Sequence, residues 1–208
     1  MVIQQVRPNH VLDDAVLNAM MNLPREHFVD EEYKALAYSD TMLPIGFEQS
    51  MLSPTHEGRF LQILGIKQEQ SVLEIGTGSG YFTALLATLA KDVISVEYYT
   101  ELSELAKQRL SAFDIDNVSL IVGDASKGWA LGHRIDIIVL TAACVNIPDQ
   151  LLQQLTINGK LLAVTGYPPA MSVQLVTRTT EREWETEILF ETVIPYLIHA
   201  EPTALFEF

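Results

Sequence analysis

The sequence predicts an α/β fold: a Rossmann-like, doubly wound, mostly parallel sheet with helices on both faces and antiparallel C-terminal strands. Three observations predict it. From residue 71 onward, short apolar runs alternate with apolar stripes at helical spacing, a pattern that buries a parallel sheet between two helical layers. A glycine-rich turn, Gly76-Thr77-Gly78-Ser79-Gly80, follows the first run. After Gly166 the alternation stops, and strand-like runs succeed one another with little helix between them.

The elements follow in order. Asp13 is placed to cap a helix containing Val16, Leu17 and Met20, and Pro24 ends it. A loop-like stretch runs from Tyr38 to Ser53. Ser53 as cap, with Pro54 at the first helical position, starts a helix that buries Phe60, Leu61 and Leu64. The strand runs are Val72–Ile75, Val93–Val96, Val118–Val122, Ile135–Leu140 and Leu161–Val164. Between the first two lies the helical stripe Tyr81, Phe82, Leu85, Leu86 and Leu89. A second helix spans Thr100 to about Leu110, with Leu102, Leu105, Ala106 and Leu110 inward, and a third begins near Pro148. Tyr167-Pro168-Pro169 reads as a turn. Val173–Thr177, Glu185–Leu189 and Thr192–Leu197 read as the closing strands.

Composition bounds the function. The chain has 208 residues, 48% of them apolar, which is ample for one core. No run approaches the ~18 apolar residues of a membrane span, and no signal-peptide pattern stands at the start. Cys144 is the single cysteine, so no intramolecular disulfide forms; these features suit the cytoplasm. A net charge of −14 counts against nucleic acid, whose phosphates are held by Lys and Arg. Neither a nucleic acid nor a membrane is an expected partner, and no pattern sets an oligomeric state.

The glycine turn can serve two kinds of cofactor. A dinucleotide fingerprint needs G-x-G-x-x-G, its third glycine letting the helix pack close to the strand. Here Tyr81 stands at that third position, which obstructs such packing and weakens the dinucleotide reading. The tighter Gly76-x-Gly78-x-Gly80, preceded by Glu74, resembles motif I of S-adenosylmethionine-dependent methyltransferases. Glycines without β-carbons let the backbone approach the cofactor's amino-acid part, and Glu74 can support its cationic end. Glu97, 21 positions after Gly76 at the end of the second strand, is placed to accept the ribose hydroxyls. Asp124, beside Ala125 after the third strand, is placed to bind the adenine amino group.

The resemblance extends to one family. "VLNAMMNLPREHFVDEEYKALAYSD" (16–40), "LPIG" (43–46), "VLEIGTGSGY" (72–81), "NVSLIVGDASKGW" (117–129), "IDIIVLTAA" (135–143), "IPDQLLQQLTINGKLLAVTG" (147–166) and "VIPYL" (193–197) are similar to successive motifs of the protein-L-isoaspartate O-methyltransferases. The resemblance implies one methyltransferase domain over 1–208: an N-terminal helical and substrate-loop region (1–70), a cofactor-binding core (71–166) and antiparallel C-terminal strands (167–208). It implies S-adenosylmethionine as cofactor, held by Glu74, Gly76, Thr77, Gly78, Ser79, Gly80, Glu97, Asp124 and Ala125. Pro44, Ile45, Gly46 and Leu52 would form the substrate loop. The implied reaction methylates the α-carboxylate of isoaspartyl residues in damaged proteins or peptides. A carboxylate is already nucleophilic at neutral pH, so no Ser/His/Asp or metal constellation is required.

The active-site loop departs from the family's G-Q-T-I-S-Q-P. This chain has Glu48-Gln49-Ser50-Met51-Leu52-Ser53-Pro54, which puts Leu52 where the family has its functional serine. Thr55, Ala125 and Thr192 also replace family residues. Ser50 and Ser53 are the hydroxyls left to act in catalysis, although Ser50 also reads as a contact to the cofactor and Ser53 as the natural helix cap. The alternative is a diverged member that binds the cofactor but has lost or changed its acceptor.

Other residues invite blander readings. Cys144 reads as packing rather than a reactive thiol, and Trp129 as core or cofactor-proximal packing. His56 reads as a polar group in a helix's first turn. His10, His27, His133 and His199 lack metal-ligand spacing.

Overall fold

A computed structural model describes residues 1–202. Helix α1 (Asp14–Asn22) opens with Asp13 accepting hydrogen bonds from the amides of Ala15 and Val16, at 2.8 and 3.2 Å. Val16, Leu17 and Met20 are buried as their spacing predicts. The chain then makes two short helical turns, Arg25–Phe28 and Glu31–Leu36. The stretch expected to be a loop contains an antiparallel hairpin, β1 (Leu43–Gly46) and β2 (Gln49–Met51). Its strands are too short for a period-2 pattern to stand out. Leu43 and Ile45 nonetheless alternate inward, and positive φ at Gly46, Phe47 and Glu48 reverses the chain. Helix α2 (Pro54–Leu64) follows, with Phe60, Leu61 and Leu64 in the core.

The main sheet carries all five predicted runs. They are β3 (Ser71–Ile75), β4 (Asp92–Glu97), β5 (Val118–Val122), β6 (Ile135–Leu140) and β7 (Leu155–Tyr167). Helices α3 (Tyr81–Leu89), α4 (Thr100–Ser111) and α5 (Asp149–Gln154) connect them, with Pro148 at the N-cap of α5. In α4, Leu102, Ala106 and Leu110 are buried and Leu105 half-buried. The antiparallel strands β8 (Ala170–Arg178) and β9 (Trp184–Glu191) complete the order β5-β4-β3-β6-β7-β8-β9. Strands β3 to β7 are parallel.

The third closing strand is a correction. Thr192–Leu197 runs extended past β9 and makes only an isolated bridge between Tyr196 and Ala143. Pro195 has no amide proton, so it accepts from the Ala143 amide at 2.7 Å but cannot return a bond. Tight contacts nevertheless hold this segment beside β6, with the Leu197 amide donating to the Ala143 carbonyl at 2.8 Å.

Alternation along the strands fills two core layers. Val72, Ile137, Val139, Leu162 and Val164 pack beneath α1, α2 and α3. Leu73, Ile75, Ile138, Leu140 and Leu161 face the other way, toward Leu151 of α5. Among the described residues, no helix is long and apolar enough to cross a membrane. Gly80 caps α3 in the left-handed region at φ 83°, and a β-carbon there would lie 3.0 Å from that of Ala106. Its role is helix packing. Gly80→Ala should cost about 2 kcal/mol, combining left-handed strain with overpacking. A urea midpoint unchanged from the parent would refute this.

Candidate active site

The site forms where the order of strands reverses. From β3 the chain proceeds to β4 and β5 on one side, then returns to β6 on the other, and this opens a crevice beyond the strands' carboxyl ends. A cleft of about 590 Å³ lies there. Its walls are the residues that leave each strand: Gly76 after β3, Glu97 ending β4, Gly123 to Ser126 after β5, and Thr141 after β6. The β1–β2 hairpin closes one side with Ile45, Gln49 and Ser50, and the C-terminal segment closes another with Leu197 and Ile198.

The glycine turn admits backbone where side chains would collide. At Gly76, φ is +99°, and an added β-carbon would fall on Oγ1 of Thr141. That hydroxyl donates to the Gly76 carbonyl at 2.6 Å, which fixes the turn against β6. Glu97 is buried; Oε2 accepts from the Gly78 amide at 2.8 Å and Oε1 from the Tyr99 amide at 3.0 Å. Asp124 stands at the far end of the cleft. It accepts from the Ser126 amide at 2.9 Å and pairs with Nδ1 of His199 at 2.8 Å. The His199 hydrogen bond holds its carboxyl pKa down, at about 2. Asp124 is therefore an ionised acceptor at neutral pH.

The cleft therefore presents two carboxylates, and no Lys or Arg lines it among the described residues. That lining suits a ligand rich in hydroxyl and amino donors and disfavours a polyphosphate. An aromatic rim surrounds the mouth. Phe47 at the hairpin tip stacks on Tyr99 at 4.5 Å, Tyr98 meets Tyr99 edge-on, and Tyr98 meets His199 edge-on.

The structure brings some expected residues together and leaves others outside. Ser50, Ile45, Gly76, Gly78, Glu97, Asp124 and Ala125 line the cleft. Thr77, Ser79 and Leu52 line a smaller adjoining cavity of about 300 Å³, which shares Ser50, Gly76, Gly78 and Thr141 with the cleft. Pro44 and Gly46 are exposed on the hairpin and line neither space. Glu74 also lines neither. It points to the α3 side of the sheet, fully buried, where Thr83 and Ser95 each donate to Oε2 at 2.5 Å. Burial raises its pKa to about 8, so it is neutral at pH 7. It braces the turn from the α3 side of the sheet through Thr83 and Ser95.

Ser53 is likewise absent from both spaces. Its Oγ accepts from the His56 amide at 3.5 Å and lies 2.9 Å from His56 Nδ1. The far nitrogen of His56 reaches Thr192 Oγ1 at 2.7 Å, which ties α2 to the segment after β9. Burial lowers the His56 pKa. Cys144 is buried and its thiol is pushed up to about 12, which fits packing. Trp129 covers Gly123, its indole 2.6 Å from where a β-carbon there would sit.

Sequence reasoning missed Tyr98, Tyr99, Thr141, Leu197 and His199. The first two directly follow Glu97, and Thr141 directly follows a strand, so the strand-end rule could have found them. Leu197 and His199 depend on the path of an irregular segment, which carries no such signal. Ser53→Ala should cost about 1 kcal/mol by loss of the cap. Binding in the cleft should stay unchanged, and a loss of binding without loss of stability would overturn the assignment of Ser53 as a cap.

Known proteins resemble this chain in sequence and in fold. Residues 1–196 match the family model described as Protein-L-isoaspartate(D-aspartate) O-methyltransferase (PCMT). A protein-L-isoaspartate O-methyltransferase of Sodalis glossinidius is 42% identical over 165 residues, covering 79% of each chain. One from Protochlamydia amoebophila is 40% identical over 183 residues, covering 88% of this chain and 86% of its own. A Plasmodium falciparum crystal structure described as a beta-aspartate methyltransferase, in complex with S-adenosyl-L-homocysteine, superposes with a TM-score of 0.82. It covers 94% of this chain and 96% of its own at 20% identity, a likeness of fold.

Proposed function

The chain belongs to the protein-L-isoaspartate(D-aspartate) O-methyltransferase family, and from that premise we propose that it transfers the methyl group of S-adenosylmethionine to the α-carboxylate of isoaspartyl residues in proteins and peptides. The observation that carries the reading is the row of Asp124, Glu97 and the open glycine turn along one cleft. These residues fit the cofactor. Asp124 accepts from the adenine amino group, and Glu97 accepts from the ribose hydroxyls. The Gly76–Gly78 backbone, free of β-carbons, makes room for the amino-acid part. Bound there, S-adenosylmethionine supplies an electrophilic methyl on a sulfonium.

The protein's task is alignment and exclusion of water, since a carboxylate with a pKa near ~4 needs no base. The hairpin supplies the acceptor side. Ile45 and Leu197 form apolar walls, and Ser50 lies where both cavities meet, placed to hydrogen-bond the acceptor. Leu52 contributes an apolar surface to the smaller cavity, buried beside Phe82 and Met51. It cannot orient a carboxylate, so this chain relies on Ser50 for that contact. Ser53 caps α2 and stays outside the reaction.

Radiolabelled S-adenosylmethionine should transfer base-labile methyl to an isoaspartyl peptide and not to its aspartyl twin. No incorporation at saturating cofactor would sink the reading. It would favour the second one, a cofactor-binding protein with another acceptor or none, for which Leu52 is the reason. Leu52→Ser adds a hydroxyl to the small cavity and should raise kcat/KM on the isoaspartyl peptide about tenfold, the worth of one hydrogen bond to a charged group. An unchanged or lowered value would show that Leu52 is not what limits the acceptor contact.

A further inference from the structure

The acid expected to meet the cofactor's cationic end is Glu74, and it lies sealed behind the sheet. A different carboxyl group reaches the glycine turn. Glu57, in the first turn of α2, is buried and lines the smaller cavity together with Gly76, Thr77, Gly78 and Ser79.

Of the cavity's other polar side chains, the neutral hydroxyl of Ser50 makes no hydrogen bond among the described residues, and the remaining three are committed. Thr77 Oγ1 shares a hydrogen bond with Ser95 Oγ at 2.5 Å, Ser79 Oγ accepts from the Tyr81 amide at 3.2 Å, and Thr141 donates to Gly76. Glu57 spends only one oxygen. Oε2 pairs with Arg25 Nη1, while Oε1 makes no hydrogen bond among the described residues. Arg25, itself fully buried, donates its other terminal nitrogen to the Leu52 carbonyl at 2.7 Å, so the carboxyl group is fixed in place. A carboxylate offers about four acceptor sites, and a buried one with an idle oxygen facing a cavity is a receptor for a donor, best of all a cation.

We propose that Glu57 is a cofactor-binding residue that accepts the α-ammonium group of S-adenosylmethionine. The assignment rests on the methyltransferase reading above and adds the third acid of a series. Asp124 meets the adenine end, Glu97 the ribose, and Glu57 the amino acid. The charged and titratable groups facing Glu57 are Arg25 from the helical turn before it, Asp40 from the N-terminal segment and Tyr81 from α3. Burial holds the Glu57 pKa at about 7 against the pull of Arg25. An arriving ammonium favours the ionised form, so the interaction strengthens as pH rises through neutrality.

Calorimetry on the full chain tests this without relying on turnover. The ligands are S-adenosylhomocysteine and its deaminated analogue, which keeps the adenosine, thioether and carboxylate. The parent should bind S-adenosylhomocysteine about tenfold tighter at pH 8, and that ratio should shrink toward pH 5.5. Contributions of the Asp124–His199 pair cancel in the ratio, because both ligands carry the adenine. Glu57→Gln, which still accepts from Arg25, should keep the affinity for the analogue and lose the preference. Equal affinity of the parent for both ligands, a ratio independent of pH, or a preference surviving in Glu57→Gln would each overturn the assignment alone. Binding of neither ligand by the parent would overturn the cofactor reading, and the assignment with it.

Discussion

The reversal of strand order at β3 is the constraint on which the site depends. A parallel sheet wound in one direction only would leave its carboxyl ends covered by successive connections. Here β3 has β4 on one side and β6 on the other, so the connections leave it in opposite directions and a crevice opens between them. Gly76, Glu97, Asp124 and Thr141 are simply the residues that leave the strands at that edge. They are far apart in the chain and adjacent in space because register holds the strand ends level: Ile75 pairs with Val96 and Leu140, and Glu97 with Val122. The bonds from Gly76 to Val96, Gly123 to Glu97 and Thr141 to Ile75 extend that register into the loops.

Much of this was legible in the sequence. Apolar runs bounded by turns give the strands, stripes at helical spacing give the helices, and strand-end acids give two of the cleft's polar walls. Asp13 and Ser53 were legible as caps because their hydroxyl or carboxyl oxygens reach orphan amides of the first turn, a purely local matter. What local pattern does not carry is longer-range. Glu74 precedes the glycine turn by two residues, but strand alternation sends it to the same face as Val72, under α3 and away from the cleft. Period 2 encodes that face, whereas the glycine motif by itself does not. The β1–β2 hairpin was too short for a pattern, and Glu57 carries no local signal at all, since its position depends on how α2 docks.

The two buried glutamates mark a cost that the fold accepts. Glu74 rises from 4.5 to about 8 and Glu57 from 4.5 to about 7, both chiefly by desolvation. An acid with a raised folded-state pKa leaves stability whole below pH 4.5 and diminishes it as pH climbs to the folded value. Neither group is there for stability. Glu74 instead couples β3 to β4 and α3 through Ser95 and Thr83, so the turn is held from the side opposite the cleft. Its hydrogen bonds specify one arrangement of the turn, which a leucine of similar volume would leave to packing.

Arg25 shows how the N-terminal segment comes to shape a site built from the central sheet. Its guanidinium lies 5.0 Å above the Tyr81 ring, and Tyr81 opens α3 directly after the glycine turn. The same group reaches Glu57 at the start of α2 and the carbonyl of Leu52 at the end of the hairpin. One buried cation thus joins the helix that follows the glycine turn, the first turn of α2 and the residue after the hairpin. The tyrosine that argued against a dinucleotide has its physical reason here: its buried ring fills the space a glycine would open, packed edge-on against Phe28 and under Arg25. The end of the hairpin and the glycine turn are held relative to each other by a residue that lines neither cavity, so the shape of the cleft is set from inside the core.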